Sequence, residues 1–144
     1  MDIRPLSDDY AVSPQIAPED VPAIKAAGYT TVICNRPDGE VGPEHQCDAI
    51  RAAVEAAGLR FVANPFAGTE LSQDHVAAQG AALDAAPGPV LAYCASGNRS
   101  SIVWGLARAG TQDPDAMIEV AGRHGYTQIA QFREAMQALG RERG

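Results

Sequence analysis

The chain has 144 residues, 46% of them hydrophobic, and a formal net charge of −7. That is enough apolar material for one sizeable core, so a single domain over residues 1–144 is expected, and the negative charge argues against nucleic acid or an anionic membrane as partner. No apolar run reaches the length of a membrane span, and Met1-Asp2-Ile3-Arg4-Pro5 lacks the basic and apolar stretches of a signal peptide, so a cytoplasmic location is expected.

In chain order, Tyr10 to Val12 is a candidate edge strand. A helix over Pro18 to Ala27 ends at Gly28, and a short apolar strand, Thr30 to Cys34, comes next. The pattern recurs with a helix over Glu44 to Ala57, Gly58, and a strand over Arg60 to Ala63. A third helix spans Gln73 to Ala85, the breaker Pro87-Gly88-Pro89 precedes a strand over Val90 to Tyr93, and a helix runs from Arg99 to Ala109. Two C-terminal helices are expected within residues 113–140. The first is capped by Asp113, with Pro114 at its first position, and reaches His124; the second covers Ile129 to Leu139. Gly140 to Gly144 reads as a frayed end. Strands separated by helical crossovers imply an α/β fold, a three-layer domain with a parallel central sheet and helices on both faces.

Chemistry concentrates at Cys94-Ala95-Ser96-Gly97-Asn98-Arg99-Ser100. A cysteine that closes a buried strand, five residues before an arginine that opens a helix, has the layout of a thiolate anion cradle. Gly97 gives the turn its backbone freedom. The free N–H groups of Ala95, Ser96, Gly97, Asn98 and Ser100 can converge on a bound anion or on the Cys94 sulfur. The positive helix end favours thiolate over thiol, and the planar fork of Arg99 suits an oxyanion. Ser96 and Ser100 can donate to the sulfur or hold the loop.

Ligands of an open parallel sheet bind beyond the carboxyl ends of its strands. Cys34-Asn35-Arg36-Pro37 ends one strand and Asn64-Pro65-Phe66-Ala67-Gly68 another, which places Asn35, Arg36, Phe66 and, just beyond, Glu70 at the pocket rim. Arg36, Asp38 and Glu40 can line the mouth or orient Arg99. Tyr93, Trp104 and Cys34 read first as core. Cys34, Cys47 and Cys94 make an odd count without a Cys-x-x-Cys pair, and His45, His75 and His124 are scattered, so neither a disulfide framework, a metal site nor a cofactor is indicated.

The Cys94 loop resembles those of the protein tyrosine and dual-specificity phosphatases and of the rhodanese sulfurtransferases. Its Cys-x4-Arg spacing, with Tyr93 before the cysteine, matches the shorter rhodanese form rather than the Cys-x5-Arg of phosphatases. Gln15-Ile16, Gly28 to Glu40 with its Asn-Arg-Pro-Asp-Gly-Glu end, Ala57-Gly58-Leu59 and Gly88 to Ser100 together resemble the phosphatase-like domain of the beta-lactamase-hydrolase-like proteins over residues 1–110. The resemblance implies a dual-specificity-phosphatase-like fold. It also implies a place beside persulfide dioxygenase or sulfide:quinone oxidoreductase modules, and sulfurtransferase activity in some members.

Hydrolysis of a phosphate ester needs an acid for the leaving group, and in the segment after Ala63 Glu70 is the best substitute for the phosphatases' aspartate, Ser72 and Asp74 reading as the cap and first turn of the next helix. Sulfane transfer needs none. The expectation is therefore a sulfurtransferase: Cys94 attacks thiosulfate or a low-molecular-weight persulfide, carries the sulfur as a persulfide, and passes it to a thiol or cyanide, with Arg99 on the oxyanion end. The alternatives are a phosphatase forming a Cys94 phosphocysteine, with Glu70 as acid, and a non-catalytic anion or persulfide binding module. Ala95 supports the last, because relatives often carry an arginine there.

Overall fold

The computed structural model describes residues 1–143. Five strands form one sheet: β1 (Arg4–Ser7), β2 (Tyr10–Ser13), β3 (Thr31–Cys34), β4 (Arg60–Ala63) and β5 (Val90–Tyr93), in the order β1-β2-β5-β3-β4. β5 lies between β2 and β3, and these pairs and β3 with β4 are parallel. Ser13 and Cys34 both oppose Tyr93, and Ala63 opposes Cys34, so four carboxyl ends finish level and the residue after Tyr93 emerges in the middle of the row.

The three inner strands, β2, β3 and β5, are buried along their whole length on both sides, as parallel strands covered by two helical layers must be. In β5 the alternation sorts the side chains: Leu91 and Tyr93 join one buried cluster, Val90 and Ala92 the other. The first cluster packs under α1 (Val21–Ala26) and α2 (Cys47–Ala56) through Ile24, Ile50 and Val54. The second packs under α3 (Gln73–Ala85), α4 (Asn98–Ala107), α5 (Pro114–Arg123) and α6 (Arg133–Arg143) through Val76, Val103, Met117 and Met136. The expected three-layer α/β architecture is present. Among the described residues no helix is long and apolar enough to cross a membrane.

Several expectations are corrected. Tyr10 to Ser13 is an interior strand, and the edge is β1, which pairs antiparallel with β2 and makes the sheet mixed. Arg4-Pro5-Leu6-Ser7 buries only Leu6 and carries a proline, so its sequence holds no strand-like apolar run. The helix expected from Glu44 starts at Cys47 instead: Pro43–His45 is a separate 3-10 turn, and extended Gln46 (ψ 163°) interrupts the helical path. At each end of the chain a short 3-10 turn, Pro18–Asp20 and Gln128–Phe132, likewise occupies the start of an expected helix.

The tail is not frayed through residue 143; Gly144 lies outside the described residues. α6 continues past Gly140, where a Cβ would sit 3.3 Å from the Gly110 nitrogen, so the two glycines permit close backbone approach. Arg143 Nη1 then donates to the carbonyls of Leu106, Ala107 and Ala109 at 2.8, 3.0 and 3.0 Å, satisfying groups that the end of α4 leaves open.

Candidate active site

Cys94 leaves the central strand and is fully buried. Its sulfur accepts the Gly97 N–H at 3.1 Å. That bond requires the loop to turn back on itself, and Gly97 does so with φ +101°, a conformation that costs glycine little and other residues more. A side chain at this position has no room either: a Cβ would lie 2.3 Å from the Tyr126 hydroxyl. Tyr126 closes the loop from outside by donating to the Ser96 carbonyl at 2.7 Å, and Arg4 Nη1 donates to the Tyr126 oxygen at 3.0 Å. Ala95 and Ser96 are exposed, and Ser96 Oγ accepts the Asn98 N–H at 3.2 Å, so this serine holds the loop. The Asn98 side chain donates outward to Gln128 at 2.8 Å.

Arg99 is held from the far side. Its Nη1 and Nη2 donate to the two Glu40 oxygens at 2.9 and 2.8 Å, and Nη1 also donates to the Phe66 carbonyl at 3.0 Å. Three of a guanidinium's five N–H groups are thus committed, and the Nε–H and one Nη2–H remain for an anion. Glu40 raises the Arg99 ionisation against the opposing effect of burial, and proximity to Cys94 raises it further. Glu40 also accepts from Arg36 Nε at 3.1 Å, and Arg36 Nη1 reaches Gln15 at 3.3 Å. The hydrogen bond from Arg99, opposed by burial and reinforced by Arg36, holds the Glu40 carboxyl below the usual carboxylate range. Glu40 is therefore an ionised strut between two arginines rather than a proton donor, and orientation of Arg99 by Glu40 is among the expected roles that the geometry supports.

The loop stands on buried polar groups. Ser100 Oγ donates to Asn35 Oδ1 at 2.9 Å, and Tyr10 donates its hydroxyl to the Ser100 carbonyl at 2.8 Å. Gln79 joins them: its Oε1 accepts from Asn35 and Asn64 at 3.0 and 2.9 Å, and its Nε2 donates to Tyr10 at 3.2 Å and to Asn35 at 3.4 Å. Asn35, Asn64, Gln79, Tyr10 and Ser100 are all buried. Ser100 thus anchors α4 instead of facing the sulfur. Trp104 stacks on Tyr10 with centroids 5.7 Å apart and fills core beneath the helix, and Tyr93 is likewise core.

Phe66 is buried, its ring tilted against His75 at 5.2 Å, so it touches the site through its carbonyl. Glu70 is exposed in the turn after β4, and its carboxylate has no hydrogen bond or ion pair among the described residues, so nothing fastens it to the loop. Sequence reasoning missed Gln79, Tyr126 and Arg4. Gln79 carried a signal: with Val76 and Leu83 it falls on the inward stripe of α3, where an amide must find partners. Tyr126 and Arg4 lie far from Cys94 in the sequence and meet the loop only in the folded chain.

A thiol on a central strand end, a backbone N–H turned onto its sulfur, and an arginine with two uncommitted donors make an arrangement that can receive an anion. The chain aligns with a Neisseria meningitidis structure described as a candidate phosphatase at TM-score 0.81 and 33% identity, covering 96% of this chain and 99% of that one. The fold is shared at TM-score 0.75 and 17% identity with Tk-PTP, covering 98% and 95%, and at 0.69 and 18% with Pseudomonas aeruginosa TpbA, covering 98% and 89%. Among curated sequences, the beta-lactamase hydrolase-like protein of Xylella fastidiosa strain Temecula1 is 29% identical over 128 residues, 88% of this chain. Its Agrobacterium fabrum counterpart is 31% identical over 99 residues, 69% of this chain. The chain spans 30% and 22% of the lengths of these two relatives. Residues 2–111 match the family model described as "Beta-lactamase hydrolase-like protein, phosphatase-like domain", and with the loop and its supports lying almost wholly within that stretch, the chain belongs to this family.

Proposed function

We propose that the chain is a cysteine-dependent phosphatase that favours aryl phosphate monoesters. The observation that carries this reading is the Cys94 sulfur under the Gly97 N–H, beside an Arg99 whose outer edge is occupied by Glu40 and whose inner donors are free. Cys94, as thiolate, attacks phosphorus in line. The Arg99 Nε–H and Nη2–H and the loop N–H groups take the phosphoryl oxygens, and water later hydrolyses the phosphocysteine. The likeness to a candidate phosphatase at 33% identity supports this ordering, which reverses the one expected from loop length.

The choice of leaving group rests on proton bookkeeping. Glu40 is ionised between two arginines and Glu70 is unanchored, so no fixed acid protonates a departing alkoxide. A phenolate leaves without one. Wild type should hydrolyse p-nitrophenyl phosphate and tyrosine phosphate but not serine phosphate, and Cys94→Ser should abolish turnover. Efficient hydrolysis of alkyl phosphates that also depends on Cys94 would overturn the substrate assignment.

The missing acid also favours a second reading, transfer of sulfane sulfur from thiosulfate or a persulfide through Cys94, because sulfite or a thiolate leaves as an anion. In that reading the partners are a persulfide, a thiol and a persulfide dioxygenase or sulfide:quinone oxidoreductase. Intact mass after incubation with glutathione persulfide separates the two: one added sulfur on Cys94, with no aryl phosphatase turnover, selects sulfur transfer.

A further inference from the structure

The two cysteines that the site does not use are not independent. Cys34 ends β3 and Cys47 opens α2, both are buried, and their sulfurs lie 3.3 Å apart with the Cys47 thiol donating to Cys34. We propose that Cys34 and Cys47 form a redox modification site, a dithiol that a hydroperoxide converts to a disulfide and thereby fastens the wall of the anion pocket.

The segment bridged by this pair, residues 35–46, carries Asn35, Arg36 and Glu40, and Asp38 of the same segment accepts the Cys47 N–H at 2.8 Å. One end is therefore already tied down, and the sulfurs need close by only about 1.2 Å to reach bonding distance. A partner for the intermediate is in place. The Tyr93 hydroxyl is buried without a hydrogen-bond partner, and its ionisation is pushed up by burial and then by the neighbouring Cys34 sulfur. A sulfenic oxygen on Cys34 gives this orphan donor its acceptor.

The chemistry balances with a hydroperoxide as oxidant. The Cys34 sulfur attacks the outer peroxide oxygen, the O–O bond breaks, an alcohol or water leaves, and Cys34 becomes a sulfenic acid. The Cys47 sulfur then attacks the Cys34 sulfur. The S–S bond forms, the S–O bond breaks, and water departs with the Cys47 proton. Two thiols lose two hydrogens, and the peroxide is reduced.

The inference is independent of the reaction at Cys94, so it is tested in the full chain carrying Cys94→Ser, with wild type in parallel. After exposure to hydrogen peroxide, peptide mapping should find Cys34 joined to Cys47 and the intact protein lighter by two hydrogens. Dithiothreitol should reverse the change. Closing this loop should raise the thermal midpoint by roughly 5–10 °C, and Cys47→Ser in the same background should lose both crosslink and rise. Sulfoxide on the exposed Met1 marks the oxidant dose. Free thiols at Cys34 and Cys47 once Met1 is oxidised, a crosslink of Cys94 to Cys34 in wild type in place of the expected one, or a fall in the midpoint on crosslinking would each overturn the proposal.

Discussion

Gln79→Leu removes the amide at the centre of the buried network while keeping most of the side-chain volume. Four hydrogen bonds go, three between 2.9 and 3.2 Å and a weaker one at 3.4 Å. Each neighbour keeps a partner: Asn35 the Ser100 hydroxyl and the Asn64 carbonyl, Asn64 the His75 carbonyl, and Tyr10 the Ser100 carbonyl. No group is wholly orphaned, so the loss is counted as net hydrogen bonds rather than as a full desolvation penalty, and three good bonds at ~1 kcal/mol each give about 3 kcal/mol. At roughly 3–4 °C per kcal/mol for a domain of this size, the calorimetric midpoint should fall by about 10 °C. Gln73→Leu, at an exposed position of the same helix, should stay within ~0.5 kcal/mol of wild type. A Gln79→Leu protein melting within about 2 °C of wild type would show that the network contributes little and that the loop stands on packing alone.

Glu40→Gln keeps the shape of the strut but removes its charge. Because Glu40 is partly exposed, the loss in kcat/KM should be near 10-fold, at the low end for a charge-assisted pair, and is read by p-nitrophenyl phosphate kinetics. The Glu40 carboxyl lies below its ordinary value in the folded chain, so its contribution is complete above the normal carboxylate range and fades as pH falls through the lowered value. Orthovanadate affinity at pH 5 should accordingly depend on Glu40 as strongly as at pH 7, and a dependence already lost at pH 5 would contradict the pairing. Gly97→Ala meets both the left-handed backbone and the Tyr126 hydroxyl, and should lower stability by about 2–4 kcal/mol in urea unfolding and eliminate turnover. Arg143→Ala should cost about 1–3 kcal/mol by uncovering the Leu106, Ala107 and Ala109 carbonyls, with aryl phosphatase rates little changed.

Legibility in the sequence tracked the range of the forces involved. α3 and β5 fall on the residues expected because local signals bound them, Ser72 as N-cap and the Pro87-Gly88-Pro89 breaker. β1 was invisible because its strand character comes from pairing with β2 rather than from its own apolar content. The Cys94 turn could be read because cysteine, glycine and arginine stand close together in the chain. Its braces could not: Tyr126 and Arg4 approach from 30 residues after Ser96 and from 122 residues before Tyr126. Position along the chain points to Glu70, whereas the carboxylate that reaches the site is Glu40, bound across 59 residues.

The brace from Tyr126 bears on where a working piece of this chain can be cut. The family match stops at residue 111, yet α4, the helix that begins at the loop, is completed by side chains from beyond that point. Gly105 lies where a Cβ would meet Ile129 at 2.9 Å and Met136 at 3.1 Å, and the Ser96 carbonyl is gripped from residue 126. Truncation at the end of the match would leave the most buried helix of the molecule half naked and its first turn without its outer clasp. Such a fragment should aggregate or melt early and lose its grip on anions even though every residue at the loop is intact. The last 32 described residues, 112–143, act as a splint for a loop that is written entirely before them.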